Sequence, residues 1–162
     1  MAYKYCEKTT KKHPKYKDVF AKPLSVAIKD EGGPIIGIHS IVVDLDAMEK
    51  DNALRQNRNQ ISTMDIFFGI SQEVTHKSPQ ICLVDFKYRV KGNSGFDIKD
   101  CEKKIKDSIV ILGRDVIIHP NYYFVFSENN QVKRSILSRK NLSNPNSPMK
   151  FINTNTFTEL FW

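Results

Sequence analysis

Cysteine and long apolar runs are scarce in this sequence, and each scarcity excludes a class of protein. Only three cysteines, Cys6, Cys82 and Cys101, occur among 162 residues. An odd number of widely spaced cysteines does not form the disulfide framework of a small secreted domain, and Cys82 and Cys101 stand in apolar patterns typical of reduced core thiols. No stretch approaches the roughly eighteen consecutive apolar residues of a transmembrane helix. We therefore expect a protein without disulfides that does not cross a membrane.

The motifs of several enzyme classes are also missing. The sequence contains no G-x-S-x-G motif, and Gly32-Gly33 is not followed by the Lys-Ser/Thr pair of a phosphate-binding loop. The four histidines have no zinc-ligand spacing with the cysteines. The first residues are polar and rich in lysine, without the apolar stretch of a signal peptide. We expect a cytoplasmic protein that is neither a serine hydrolase nor a zinc-finger protein.

Charge is distributed unevenly along the chain. The net charge is +7, both ends are basic, and carboxylates outnumber basic residues between positions 30 and 73. This pattern suits a protein that attracts a polyanion and holds a divalent cation at its centre, although basic segments are as often ordinary solvated surface. The predicted partner is nucleic acid, with DNA favoured over RNA. Its predicted phosphate contacts are Arg134, Arg139 and Lys140, in a stretch without carboxylates, together with Lys103 and a basic arm at 1–22.

Length and hydrophobic periodicity predict a single α/β domain at 23–162, preceded by the arm. Residues 23–46 contain two or three β-rich runs, and a helix is predicted over 46–61. Two apolar, β-branched runs at 64–70 and 81–90 flank a polar loop, which is typical of an antiparallel hairpin. The apolar spacing at 98–112, between Asp97 and Gly113, predicts an amphipathic helix.

Two further elements are predicted near the end of the chain. Residues 116–128 are expected to form one or two strands, broken near Pro120. A terminal helix is expected after Asn153 or Thr154, and its apolar residues Phe157, Leu160 and Phe161 are expected to be buried.

The second strand of the hairpin carries an acid and an amine on one face. Side chains alternate along a strand, so Asp85 and Lys87 emerge on the same side of an otherwise apolar run. Burying a charge is costly unless it is paired or bound to a metal. A hairpin in which Ser71 faces Gln80 places Asp65 opposite residues 85–87. Two carboxylates on neighbouring strands then provide oxygen ligands suited to Mg²⁺ or Mn²⁺, beside a lysine that can stabilise charge on a phosphate.

Asp65 and the later sequence Asp85-Phe86-Lys87 resemble the signature of the PD-(D/E)xK nuclease superfamily. The resemblance covers about residues 45–127, with Met64 in place of proline and aspartate at the second acidic position. It implies a restriction-endonuclease-like three-layer core, with a mixed central sheet flanked by helices. It also implies Asp65, Asp85 and the backbone carbonyl of Phe86 as metal ligands and Lys87 as the catalytic lysine. A glutamate on the preceding helix serves the site in many members, and Glu49 is the position that we would test for this role.

Three interpretations follow from the sequence. The first is a metal-dependent nuclease that hydrolyses phosphodiester bonds. The second is a non-catalytic interaction protein, such as an immunity or regulatory factor, in which Asp85 and Lys87 form a structural salt bridge on a nuclease-like scaffold. The third is a subunit of a larger complex. A chain this short has no room for a separate specificity domain, so a homodimer or a protein partner would supply that role.

Overall fold

A computed structural model of the chain describes residues 2–90, 96–128 and 146–162. The strands in this part are β1 (Tyr3–Tyr5), β2 (Ala21–Pro23), β3 (Ile41–Asp44), β4 (Ile66–Gln72), β5 (Gln80–Phe86), β6 (Ile118–Phe126) and β7 (Met149–Asn153). The helices are α1 (Glu7–Lys12), α2 (Leu24–Asp30), α3 (Leu45–Arg55), α4 (Ile98–Leu112) and α5 (Thr154–Phe161), and a 3-10 turn covers Asp18–Phe20. None of the described helices is both long and apolar enough to cross a membrane.

The strands form one mixed sheet with the order β2-β3-β4-β5-β6-β7, and β1 pairs with β4. The pairs from β2 to β5 are antiparallel, whereas β5 pairs with β6, and β6 with β7, in parallel. A parallel pair needs a crossover connection, and α4 lies in the connection between β5 and β6. The predicted α/β class with a mixed central sheet is confirmed.

Helices pack against both faces of the sheet. On one face, buried residues of α2 and α5, including Ile28 and Phe157, contact the side of the hairpin that carries Val84. On the other face, buried residues of α3 and α4, including Met48 and Cys101, contact the opposite side. The sheet is therefore the middle layer between two layers of helix.

The central hairpin has the register that the sequence predicts to within one residue. Ile66 lies opposite Val84 and Ile70 lies opposite Gln80, so paired residue numbers add up to 150. The alternation along β5 is also as predicted, because Leu83 belongs to the α4 side and Val84 to the α2 side. This register brings Asp65 level with Asp85.

Helix α2 occupies a segment that was predicted to be β-rich, and that prediction is wrong. Leu24, Ala27 and Ile28 are buried at the helical spacings of three and four. Helix α3 is shorter than predicted, because the chain turns into the left-handed region at Asn57 (φ 48°). There the N–H of Arg58 donates to the carbonyl of Ala53, which closes the helix end.

Residues 3–12 belong to the folded domain, whereas the sequence predicted a separate basic arm. Strand β1 pairs with β4 and α1 packs directly on Gly69. The N–H of Gly69 donates to Thr10 Oγ1 at 2.8 Å, and its carbonyl accepts from the N–H of Cys6 at 2.8 Å. A Cβ at Gly69 would lie 2.4 Å from the backbone nitrogen of Thr10, so only glycine allows this close approach.

The remaining elements mostly follow their sequence signals. Helix α4 has the predicted bounds; Asp97 caps it by accepting from the N–H of Lys99, and the chain leaves it at Gly113 (φ 87°). Asn153 caps α5 as predicted, but Leu160 is 42% exposed instead of buried. Strand β6 is continuous, but its register with β5 shifts between Ile118 and Tyr122, around Pro120, where the sequence predicted a break. The three cysteines are free, and Cys82 and Cys101 are buried.

Candidate functional site

Two carboxylates meet where β4 begins and β5 ends. Asp65 is the residue immediately before β4, and its Oδ2 accepts a hydrogen bond of 2.6 Å from the N–H of Phe86. Its own N–H donates to the carbonyl of Val84. These two bonds fix Asp65 beside the residues that flank Asp85, and the two carboxylates interact electrostatically. The register therefore places Asp65 opposite Asp85 on the hairpin, and their joint role in binding a metal stays a prediction.

Asp85 is fully buried and lies between two lysines. Lys104 Nζ, from α4, donates to Asp85 Oδ1 at 2.9 Å, and Lys87 Nζ lies 2.6 Å from Asp85 Oδ2. The second contact is an ion pair without hydrogen-bond geometry, so Oδ2 has no hydrogen-bond partner among the described residues. A buried carboxylate needs compensation, and here it has two cations.

Lys87 extends toward α4 along the same face as Asp85. Its ammonium group lies 5.8 Å from the ring centre of Phe124 and 6.0 Å from that of Phe96, which are cation–π distances. The side chain is 15% exposed, so it is mostly enclosed by its neighbours. A lysine in this position can contact an anionic group that approaches Asp85 from solvent.

The acidic surroundings of Asp65 favour binding of a proton or a cation. Burial, followed by the negative charges of Asp85 and Glu31, raises the pKa of Asp65 well above its ordinary value. Burial also raises the pKa of Glu31, and Asp85 and Asp46 act in the same direction. A cluster of mutually repelling carboxylates is stabilised when a cation joins it.

A small cavity of about 50 Å³ adjoins Asp65. Its walls combine one lysine, four carboxylates and backbone next to the hairpin; they are Lys22, Ala27, Glu31, Asp44, Asp46, Asp65, Ile66 and Phe86. Lys22 Nζ contacts Asp44 at 2.7 Å and Asp30 at 3.1 Å. The cavity therefore presents mainly oxygen atoms, and Lys22 neutralises one side of it.

Glu49, the predicted helix glutamate, is bound by other groups. Its carboxylate is fully buried and accepts hydrogen bonds of 2.7 and 3.0 Å from Arg58 and one of 2.8 Å from the N–H of Ile61. The bonds from Arg58 outweigh the cost of burial and hold the pKa of Glu49 below its usual value. Reaching a metal at Asp65 would require Glu49 to give up these contacts, so its role in the site stays a prediction.

Two residues of the site were not selected from the sequence. Glu31 follows α2, which was read as a strand, so nothing indicated its position. Lys104 belongs to α4, three residues after Cys101 and four before Ser108, both of which are buried. Its position beside the buried stripe was the available signal. Burial lowers the pKa of Lys104, but Asp85 and Asp65 outweigh that effect and raise it.

The predicted nucleic-acid contacts are only partly covered by the structure. Arg134, Arg139 and Lys140 lie outside the described residues. Lys103 is exposed on α4 and forms an ion pair with Asp107 one turn later. It is therefore accessible to a polyanion, but its charge is partly satisfied within the helix.

The donor chemistry of the site fits a hard divalent cation. Carboxylate and backbone carbonyl oxygens are the ligands that Mg²⁺ takes, usually with several waters. Asp65, Asp85 and the carbonyl of Phe86 offer such oxygens, and Asp85 Oδ2 has no hydrogen bond to lose within the described residues. Among the described residues, no three histidine, cysteine, aspartate or glutamate side chains are arranged so that they could hold a metal ion. Water would therefore complete the coordination.

Comparison with known proteins returned no relative of this chain. No protein-family model, no curated protein and no solved structure matches it.

Proposed function

We propose that this protein is a metal-dependent nuclease that hydrolyses phosphodiester bonds in nucleic acid. One observation carries the proposal: the fully buried Asp85 stands beside Asp65 across a hairpin, with the ammonium of Lys87 2.6 Å away. A buried charge cluster of this kind is costly for a fold, and such clusters concentrate at functional sites.

Each residue of the cluster has a distinct task in this proposal. Asp65, Asp85 and the carbonyl of Phe86 hold Mg²⁺ or Mn²⁺. The ion, when bound, supplies electrostatic stabilisation of the charge that develops on the phosphate. Lys87 adds a second positive charge on the same side of the hairpin. Cation–π contacts with Phe96 and Phe124 hold its ammonium group there. The basic surface of the chain attracts the polyanion.

The restriction-endonuclease-like fold is part of the same proposal. The hairpin with the acidic pair has α3 before it and the amphipathic α4 after it. Helices cover both faces of the mixed sheet. This arrangement supports the three-layer core that the resemblance implies.

The interaction-protein alternative is favoured by a specific observation. Several charges near the hairpin are already paired within the protein: Asp85 with two lysines, Glu49 with Arg58, and Asp44 with Lys22. A scaffold that needs no metal would show such pairing. The two functions differ in whether catalysis exists at all.

The deciding experiment is a cleavage assay with the purified full chain. Plasmid DNA, a DNA oligonucleotide and an RNA oligonucleotide are incubated with Mg²⁺, with Mn²⁺, or with EDTA. We expect cleavage of at least one substrate with a divalent ion and none with EDTA. Intact substrates under every condition would reject the nuclease and favour the interaction protein.

A further inference from the structure

Two lysines from different elements share a single buried carboxylate. Lys87 follows β5 and Lys104 belongs to α4, and both ammonium groups contact Asp85 within 3 Å. Their side chains are 15% and 23% exposed, whereas that of Asp85 has no exposed surface. Asp85 balances one of the two positive charges, and Asp65 also attracts Lys104 electrostatically.

The backbone of α4 at Lys104 is linked by hydrogen bonds through Ser108 to Met64, the residue before Asp65. Ser108 Oγ accepts a 2.8 Å hydrogen bond from the N–H of Met64 and donates a 2.6 Å bond to the carbonyl of Lys104. Ser108 is fully buried. The α4 backbone therefore stays in register with the metal-ligand residues, and only the flexible four-carbon stem of Lys104 is free to reorient.

A divalent cation and an ammonium group compete for the same carboxylate oxygens. Placing two further positive charges beside Asp85 makes the contact of Lys104 with Asp85 unfavourable, because like charges repel strongly at these short distances. The side chain of Lys104 is 23% exposed, so a strand that approaches the site from solvent could contact its ammonium group. A phosphate oxygen accepts a charge-assisted hydrogen bond from an ammonium group, as the carboxylate of Asp85 does.

We propose that Lys104 is a substrate-binding residue that exchanges partners. It binds Asp85 in the metal-free protein, and it binds a phosphate of the nucleic-acid strand, adjacent to the cleaved one, when a divalent cation occupies Asp85. This inference rests on the proposed function. It makes strand binding depend on the metal, so that the protein without metal holds nucleic acid only loosely.

The test uses three variants of the full chain. Lys104→Met removes the charge and keeps the length, and Lys104→Arg keeps the charge. Lys103→Met is the matched control, because Lys103 is the preceding residue, is exposed and pairs with Asp107. Thermal melting checks that each variant is folded. Mn²⁺ affinity is read from the EPR signal of free Mn²⁺, and binding of a fluorescent DNA oligonucleotide is measured with Ca²⁺ or with EDTA.

If Lys104 exchanges partners, removing its charge should strengthen Mn²⁺ binding and weaken DNA binding. Lys104→Met should bind Mn²⁺ about tenfold more tightly than the wild type, because a competing cation has been removed from Asp85. With Ca²⁺ it should bind DNA about tenfold more weakly, with little change in EDTA. Lys104→Arg should retain Ca²⁺-dependent DNA binding, and Lys103→Met should weaken DNA binding equally with Ca²⁺ and EDTA.

Two results would overturn the exchange. One is unchanged or weaker Mn²⁺ affinity in Lys104→Met; the other is a DNA-binding loss that is the same with Ca²⁺ and with EDTA. If the wild type cleaves DNA, either result in the variant would leave the nuclease proposal intact. Absence of Mn²⁺ binding by the wild type, together with absence of cleavage, would reject the nuclease proposal itself and the exchange with it.

Discussion

Asp85→Asn is expected to lower the metal-dependent cleavage rate by at least about a hundredfold. The substitution removes a negatively charged metal ligand, and a metal ion contributes several kcal/mol of transition-state stabilisation, where each 1.4 kcal/mol is about a factor of ten. It also removes the charge that holds Lys87 and Lys104 in place. Initial cleavage rates with saturating Mn²⁺ measure the effect.

Asp107→Asn provides the matched control for Asp85→Asn. Asp107 lies on the same helix as Lys104, but it pairs with Lys103 and not with the hairpin. Its substitution should leave the rate within about threefold of the wild type, as expected for a surface pair of small energetic value. Circular dichroism spectra serve to check that both variants are folded. Cleavage by Asp85→Asn at the rate of the control would place the catalytic site elsewhere.

The second large effect concerns stability in acid and depends on His13. This side chain is 5% exposed and packs on Phe67, with ring centres 4.9 Å apart. Its Nδ1 accepts from the N–H of Lys15, and its Nε2 has no hydrogen-bond partner among the described residues. Burial, with a smaller contribution from Lys15, lowers the pKa of His13 from 6.5 to about 4.

A lowered histidine pKa makes the folded state lose stability as the pH falls. Between pH 6.5 and 4 the unfolded chain binds a proton at this position and the folded chain does not, so stability rises with pH over that interval. The shift corresponds to about 3 kcal/mol in the free energy of unfolding between pH 7 and pH 4. Denaturant titrations at both pH values measure it.

His13→Gln should remove most of this pH dependence, whatever its effect on stability at pH 7. His39→Gln is the control, since His39 is exposed at the surface. We expect the wild type and the His39 variant to lose about 3 kcal/mol more than His13→Gln on acidification. Equal losses of stability in all three proteins would show that the folded state binds a proton at His13 as readily as the unfolded state does.

The hairpin and α4 could be predicted because their signals are local. Alternation along β5 assigns Asp85 to one face, and the polar loop between two apolar runs limits the register to a few choices. The apolar stripe of α4 and its capping residues Asp97 and Gly113 define that helix within the sequence itself. These local patterns were sufficient to bring Asp65 and Asp85 together.

The parts that sequence did not predict depend on tertiary contacts. Helix α2 is short, and seven residues of mixed apolar pattern do not distinguish a helix from a strand until the sheet is present to bury one side. The site position of Glu31 results from packing across layers, whereas the spacing of Lys104 from the buried Cys101 and Ser108 placed it beside the buried stripe without indicating its partner. The docking of α1 depends on Gly69, a residue far away in the sequence.

The most direct test of the candidate metal centre is the position of Mn²⁺ in crystals soaked with the ion. Anomalous difference density identifies Mn²⁺ independently of the protein model. We expect a peak between the carboxylates of Asp65 and Asp85, about 2.2 Å from an oxygen of each, with Lys104 Nζ moved away from Asp85. A well-ordered site without a peak, with Lys87 and Lys104 still bound to Asp85 at high Mn²⁺, would contradict the metal centre and leave a structural ion cluster.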